Sequence, residues 1–593
     1  MRPHLPIRIL IALNILLGIL TFSKYGESWD VNSLTHYADS SISMYGKLIG
    51  NGDFSPASIK DELALGYYGP AYVMLLRMID RLINPHYEDG LSPLQHFVYF
   101  MTFQAGVIAF YVLCLRWMNE IAAFGATLLF STQPVLWGHA FINPKDIPFL
   151  AFFLLTVLFG YKIGENLEPI PLDKRTILAS IFFWLIPFLV IFFGSGLILM
   201  WIEKLVRNAA VGETNIVSFI ASDITKASPE IYIHKYSSFY IRISFFYILI
   251  STLVLFFFYY RYSRPAFSAL IPVLVGSLLL GFTISIRNLG LFAGLIVSGY
   301  ILRKHGRNAL LHLLFYGLVA AFTVYLLWPY LWINPAGHLF QSFVTMARYP
   351  WTNTVLFNGI EYPAADLPAS YLPTLLGIQL TEPVWVLFMV GLVVAIFSLR
   401  DRRGLLVLTV IWFILPLIGF MIARIVLYDN FRQILFILPP VFFLCGIAFE
   451  RIKRPWVQVL VIGLCVLPGI IGIVRLYPYE YTYYNSSIGG IHGAFRKFEL
   501  DYWGTSYREA ALWLNENTPV NTNIWAEGPA HLLGIYLRKD LKLYSSGEIE
   551  RADHYDYVVA LSRYNLDLTS YLKANVVYKI ERENAVLAVI KKP

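Results

Sequence analysis

Residues Ile121–Ile163 read IAAFGATLLFSTQPVLWGHA, FINPKD and IPFLAFFLLTVLFGYKI: two apolar runs, 121–140 and 147–163, joined by a short turn holding Asn143, Lys145 and Asp146. A helix that crosses a bilayer needs about 20 mostly apolar residues. The two runs therefore read as a pair of membrane spans with a polar turn at one surface. The same pattern repeats along the chain, at 6–22, 97–117, 176–201, 238–260, 266–285, 289–302, 308–328, 381–398, 404–427, 432–449 and 455–474. The expectation is a polytopic α-helical membrane protein of about thirteen transmembrane helices. Its first span follows a short basic start (Arg2, Arg8) without a small-residue cleavage site, and reads as a retained span.

Composition leads to the same class. Of 593 residues, 57% are hydrophobic and 14% charged, with a mean hydropathy of +0.59. Soluble domains carry about 25% charge, which a water-facing surface of this size requires. Disorder, collagen-like repeats and a long coiled coil are excluded by the same figures. The net charge of +8 would suggest nucleic acid in a soluble protein. Here the basic residues sit in short clusters between apolar runs, where they act as topology signals and lipid-headgroup contacts, and no nucleic-acid partner is expected. Cys114, Cys445 and Cys465 all fall inside apolar runs, which argues against a disulfide framework or a thiolate metal site.

Lys and Arg mark the cytoplasmic side of membrane helices. With the N-terminus inside, the inner turns carry Arg116, Lys174-Arg175, Arg261-Arg264, Arg303-Lys304-Arg307, Arg400-Arg402-Arg403 and Arg451-Lys453-Arg454. The opposite turns are longer and hold Asp30, Asp39, Asp146, Glu203, Asp366 and Asp429. An odd number of spans then places the C-terminus outside. Residues 1–475 form the expected membrane domain, with outer segments 23–96, 143–146 and 329–380. The tail 476–593 alternates strand-like runs (Asn523–Ala526, Tyr557–Leu561, Val576–Ile580, Ala585–Ile590) with helical ones (Tyr507–Asn517, Pro529–Leu537) and reads as a small extracytoplasmic α/β domain. A helix too short to span is expected near Tyr72–Ile83.

Ionisable groups at a membrane surface are costly and mark functional sites. Asp30 follows Trp29 just after the first span and suits a general base, a metal ligand or a plain helix cap. In His139-Ala-Phe-Ile-Asn143-Pro-Lys145-Asp146-Ile-Pro148 two prolines hold polar groups rigidly at a helix junction. The bland reading pairs Lys145 with Asp146 and lets Asp146 cap the following span. Arg287 and Arg432 end apolar runs on the outer side. An arginine there either snorkels or forks phosphate oxygens. Acids and arginines together at an outer surface suit transfer from a lipid-phosphate donor. No phosphate loop, dinucleotide fingerprint or zinc-protease helix is present.

The order of these pieces is distinctive: Asp30, Tyr67-Tyr-Gly-Pro70, Gly138-His-Ala-Phe-Ile-Asn-Pro-Lys-Asp146, Arg287-Asn-Leu-Gly290, Tyr428-Asp-Asn-Phe-Arg-Gln433, Tyr477-Pro-Tyr-Glu-Tyr481 and Phe498-Glu-Leu-Asp-Tyr-Trp503. It resembles bacterial membrane glycosyltransferases of the GT-C superfamily, family 39 type, related to protein O-mannosyltransferases and the lipid A aminoarabinose transferase. The resemblance implies a GT-C-like fold and transfer of a hexosyl or pentosyl group, with inversion, from a polyprenyl-phosphate sugar to a protein, lipid or glycan acceptor. It implies Asp30 and Asp146 as catalytic acids, with His139, Asn143, Lys145, Tyr68, Arg287 and Arg432 as substrate contacts. It leaves open a divalent metal, for which Asp30 and Asp146 would be the ligands. Relatives often carry Asp-Glu where this chain has Asp30-Val31, and a charged stretch where it has Tyr68-Gly-Pro70. The rival readings are a lipid or sugar transporter and a non-catalytic glycan-binding membrane protein. The clustering of charge at one surface and the large tail disfavour transport.

Overall fold

The computed structural model describes residues 4–50, 65–83, 93–168, 174–221, 223–226, 228–262, 264–545 and 554–593. Parts of the outer segment 23–96, at 51–64 and 84–92, lie outside the described residues. Helices occupy every apolar run named above. Among the described residues eight are long and apolar enough to cross a membrane, or ten if each of two bent pairs is one span. The difference from about thirteen has a physical basis. The runs 289–302 and 308–328 form Leu291–His305 and Leu310–Leu327, parted by Gly306 at φ 58° within one apolar stretch. Leu270–Ile284 and Pro439–Glu450 are too short to span alone. In the run 432–449, Pro439 and Pro440 cannot continue a preceding helix, so a 3₁₀ segment Arg432–Ile437 comes first.

Proline also explains other irregularities. π-helical turns at Ile181–Leu185 and Val410–Ile414 directly precede Pro187 and Pro416. A proline ring clashes with the carbonyl four residues earlier, and the wider turn makes room for it.

The chain forms two compact units. One comprises Met1–Asn32, Asp80–Leu154 and Pro350–Pro593. The other comprises Ser33–Ile79 and Leu155–Tyr349.

In the first unit, helices Glu120–Ser131 and Pro134–Ile142 meet at 61°, and Tyr371–Gln379 and Glu382–Phe397 at 107°. Broken helices free backbone groups that lipid cannot satisfy. The two breaks satisfy each other: the Gln133 side-chain carbonyl accepts from the Thr381 backbone N–H at 3.0 Å, and its amide donates to the Thr381 hydroxyl at 3.0 Å. Asn485 donates to the carbonyls of Gly377 and Leu380 at the second break. Small residues let helices close up, as where Gly106 leaves room for the backbone of Ala151.

The tail carries a five-stranded sheet. Its strands, numbered after the hairpin β1 (Thr354–Phe357) and β2 (Ile360–Pro363), are β3 (Asn523–Glu527), β4 (Lys542–Tyr544), β5 (Tyr557–Leu561), β6 (Asn575–Arg582) and β7 (Ala585–Lys592). The order is β4-β3-β5-β7-β6, parallel on the β4 side of β5 and antiparallel beyond it. Left-handed Glu583 and Asn584 make the two-residue turn between β6 and β7, as Asn358 and Gly359 do between β1 and β2. The expected strands are present, and β4 is an addition. The run Pro529–Leu537 forms only the short helix Ala530–Gly534.

In the second unit, Leu178–Ala210 and Pro229–Phe258 are spans with 28% of their most apolar window buried, leaving side chains such as Phe193 and Phe257 outward. The span Asp146–Glu165, at 78%, is the most enclosed, and it begins with a residue of the candidate site.

Candidate active site

The turn between the third and fourth apolar runs builds its own frame. The Asn143 side-chain carbonyl accepts from the backbone N–H groups of Lys145 (3.0 Å) and Asp146 (2.7 Å), which satisfies two donors at the start of the helix Asp146–Glu165. Asn143, and not Asp146, is therefore the cap. The Asn143 amide donates to Asp146 Oδ2 at 2.8 Å and to His139 Nδ1 at 3.2 Å. An Nδ1 that accepts leaves the His139 proton on Nε2, from which it points to the Tyr502 hydroxyl 3.0 Å away. Gly138 is required here, since a Cβ at that position would lie 2.3 Å from the backbone nitrogen of Tyr481.

Lys145 and Asp146 each meet a partner from a distant part of the chain. Lys145 Nζ donates to Asp30 Oδ2 at 3.0 Å, with side-chain exposures of 11% and 37%, so Asp30 is the member that meets solvent. The Asp30 segment is anchored on the tail. Trp29 N–H donates to the Trp503 carbonyl at 3.0 Å, and Glu27 N–H to the Tyr536 hydroxyl at 3.0 Å. Gly26 packs so closely on Thr505 that a Cβ would lie 2.3 Å from its carbonyl oxygen. Partial enclosure pushes the Asp30 carboxyl up, and the Lys145 ammonium and Arg432 guanidinium pull it further down. The net result is a carboxyl below its ordinary value.

Arg432 is buried, at 3% exposure. It donates to Asp146 Oδ2 at 3.0 Å and to Asp429 Oδ2 at 2.8 Å, and its guanidinium lies 4.5 Å from the centre of the Trp503 ring. This differs from the snorkelling reading: the side chain is enclosed, and two carboxylates lie against its fork. Its place in the fold is that of a clamp on Asp146.

The structure thus gathers Asp30, His139, Asn143, Lys145, Asp146 and Arg432 in the first unit. Tyr68 and Arg287 belong to the second. There the Tyr37 hydroxyl donates to the Tyr68 carbonyl at 2.6 Å, and Gly69 lies against the backbone of Ser285, two residues before Arg287. The cluster also includes groups that sequence reasoning left without a role. Asp429, Glu499 and Tyr502 stood inside motifs already singled out; Arg563 carried no signal at all.

The residues present do not suit a divalent metal held by Asp30 and Asp146. Each carboxylate already has a cation against it, Lys145 for one and Arg432 for the other. No third His, Cys, Asp or Glu converges with them into a ligand set among the described residues.

No family model and no curated protein matches the chain. Among solved structures, ArnT from Cupriavidus metallidurans in the apo state aligns with 98% of this chain and 97% of its own, at 12% identity and a TM-score of 0.42. The same protein bound to undecaprenyl phosphate aligns over the same shares at 11% identity and a TM-score of 0.27. The apo oligosaccharyltransferase of Archaeoglobus fulgidus aligns with 91% of this chain and 64% of its own, at 12% identity and a TM-score of 0.35. Values this low establish neither a shared fold nor a shared activity.

Proposed function

We propose that the chain is an integral-membrane glycosyltransferase that moves a sugar from a polyprenyl-phosphate donor to an acceptor on the extracytoplasmic face, with inversion. One observation carries the reading. A half-exposed, ionised Asp30 sits against the Lys145 ammonium, backed by a buried Asp146–Arg432 pair, where several apolar spans end.

The acceptor oxygen attacks the anomeric carbon on the side opposite the phosphate. Its proton passes to the free oxygen of Asp30 as the new C–O bond forms. The old bond between the anomeric carbon and the phosphate oxygen breaks, and its electron pair stays on the leaving polyprenyl phosphate. Lys145 stabilises that developing charge. As Lys145 turns toward phosphate it releases Asp30, whose proton affinity then rises when a proton must be accepted. Arg432 holds Asp146 fixed, and Asp146 with Asn143 fixes the turn that aims Lys145.

The distribution of Lys and Arg supports a cytoplasmic N-terminus and an extracytoplasmic 476–593. Acceptor candidates are a protein, lipid or glycan of the cell envelope, and the transferred group is a hexose or pentose.

The test uses the purified full chain in lipid nanodiscs, with radiolabelled polyprenyl-phosphate hexoses and pentoses and cell-envelope extract as acceptor. Label should move from the lipid to an envelope fraction and stop with Asp30→Asn. No transfer from any donor, or movement of intact labelled lipid between leaflets without transfer, would overturn the reading.

A further inference from the structure

Arg563 follows β5 and opens a turn whose next two residues, Tyr564 and Asn565, are both left-handed, with φ 56°. Such backbone strain in non-glycine residues persists only where surrounding contacts enforce it. Several contacts enforce it here. Arg563 donates to Asp429 Oδ1 at 2.6 Å and to the Tyr502 carbonyl at 2.7 Å; its Nε lies 3.3 Å from Glu499 Oε2, and its guanidinium lies 5.6 Å from the centre of the Trp29 ring. Asp429, itself left-handed at φ 55°, is shared: Oδ1 faces Arg563 and Oδ2 faces Arg432.

Alternating charges therefore run Glu499, Arg563, Asp429, Arg432, Asp146, all but the ends flanked on both sides by the opposite sign. Every member is buried. In such a row each cation divides its attraction between two neighbours. Without Arg563, Asp429 would draw Arg432 toward itself and away from Asp146.

We infer that Arg563 is a positioning residue of the active site, through which the tail sheet sets the register of Arg432 on Asp146. The inference deepens the glycosyltransferase reading and rests on it for the effect on turnover. Its structural half stands apart from any substrate.

The experiment compares wild type, Arg563→Gln, Arg563→Lys and a control, Arg496→Gln, in nanodiscs by amide hydrogen exchange and donor kinetics. Arg496 pairs with Asp567 at 2.5 Å and donates to the Asn565 side chain of the same turn, so it shares the local turn contacts of Arg563 but lies off the row of charges. Arg563→Gln should speed exchange about tenfold in peptides covering 139–148 and 425–435, while β3, β5 and β7 stay protected. Arg563→Lys, which keeps charge but loses the fork, should fall between. Arg496→Gln should leave both peptides unchanged. Where a polyprenyl-phosphate sugar is turned over, Arg563→Gln should lower kcat with little change in donor KM.

Equal effects of Arg563→Gln and Arg496→Gln on 139–148, or no effect of Arg563→Gln on 425–435, would overturn the inference. If Arg563→Gln does not fold, Arg563→Lys against Arg496→Gln decides by the same two peptides. A chain that transfers no sugar but shows this exchange pattern would sink the enzyme reading and leave the positioning role standing.

Discussion

Lys145 Nζ lies 3.0 Å from Asp30 Oδ2, although 115 positions separate the two residues in the chain. One partner is mostly enclosed and the other faces solvent. An enclosed ammonium beside an accessible carboxylate is poised to exchange that carboxylate for a phosphate. The pair therefore makes separable predictions about rate and pH.

Asp30→Asn should lower turnover about 10²–10⁴-fold, the usual contribution of a positioned general base. The amide keeps the shape and can still accept from Lys145, so the thermal midpoint should fall only slightly. Steady-state rates with purified protein, alongside a thermal melt, measure both. Near-normal turnover would remove Asp30 from the mechanism.

Lys145→Met should move the acid limb of the pH–rate profile upward. In the wild type Asp30 is held below the ordinary carboxylate range, so it stays ionised and activity persists as pH falls. Without the ammonium, burial acts with less opposition, the Asp30 carboxyl titrates at a higher pH, and activity is lost sooner on acidification. Donor KM should rise in the same variant. A Lys145→Met profile that overlays the wild type in both respects would show that the ammonium serves neither group.

Arg432→Gln leaves Asp146 and Asp429 buried without the cation between them, a change that typically costs about 3–5 kcal/mol. The expected result is a large loss of thermal stability or of folded yield. Asp146→Asn in the Arg432→Gln background should recover part of it by removing one stranded charge. Weaker donor binding with an unchanged melt would instead favour a lipid-phosphate role for Arg432.

Glu480 gives a stability test independent of catalysis. It is fully buried four residues beyond the last span, and the Tyr25 hydroxyl donates to it at 2.8 Å. Burial pushes its carboxyl up to about 7. An unfolded Glu titrates near 4.3, so between roughly pH 4.3 and 7 the folded state holds a proton the unfolded state has released. Stability should therefore fall as pH rises through that window. Glu480→Gln, which still accepts from Tyr25, should flatten the dependence and stabilise the protein most near pH 8, by at most on the order of 3 kcal/mol. Parallel melts of both proteins from pH 5 to 8 check this; an unchanged slope would show that another group governs the dependence.

Much was legible in the sequence because its physical cause is local. Apolar runs of spanning length fix helices wherever they occur, and the Asn143-Pro-Lys-Asp146 turn folds largely on bonds among its own residues. The alternating tail runs became strands in the expected places. What could not be read is who meets whom across the chain. The bland pairing of Lys145 with Asp146 is a neighbour's guess; the fold brings Asp30 to one and Arg432 to the other. Nor does the sequence show that Asp429 and Asp146 lie against Arg432. Arg563 lay 134 residues from Asp429, with no motif around it.

By itself, then, the sequence determined a helical membrane protein with a strand-bearing tail and a polar turn rich in candidate groups. Hydrophobicity, proline chemistry and capping act within a few residues of where they are written. Only the tertiary structure decided the partner of each charge and left Asp30 as the accessible member of its pair. Enclosure makes every unpaired charge expensive, and the packing of segments remote in the chain settles which opposite charge lies within reach.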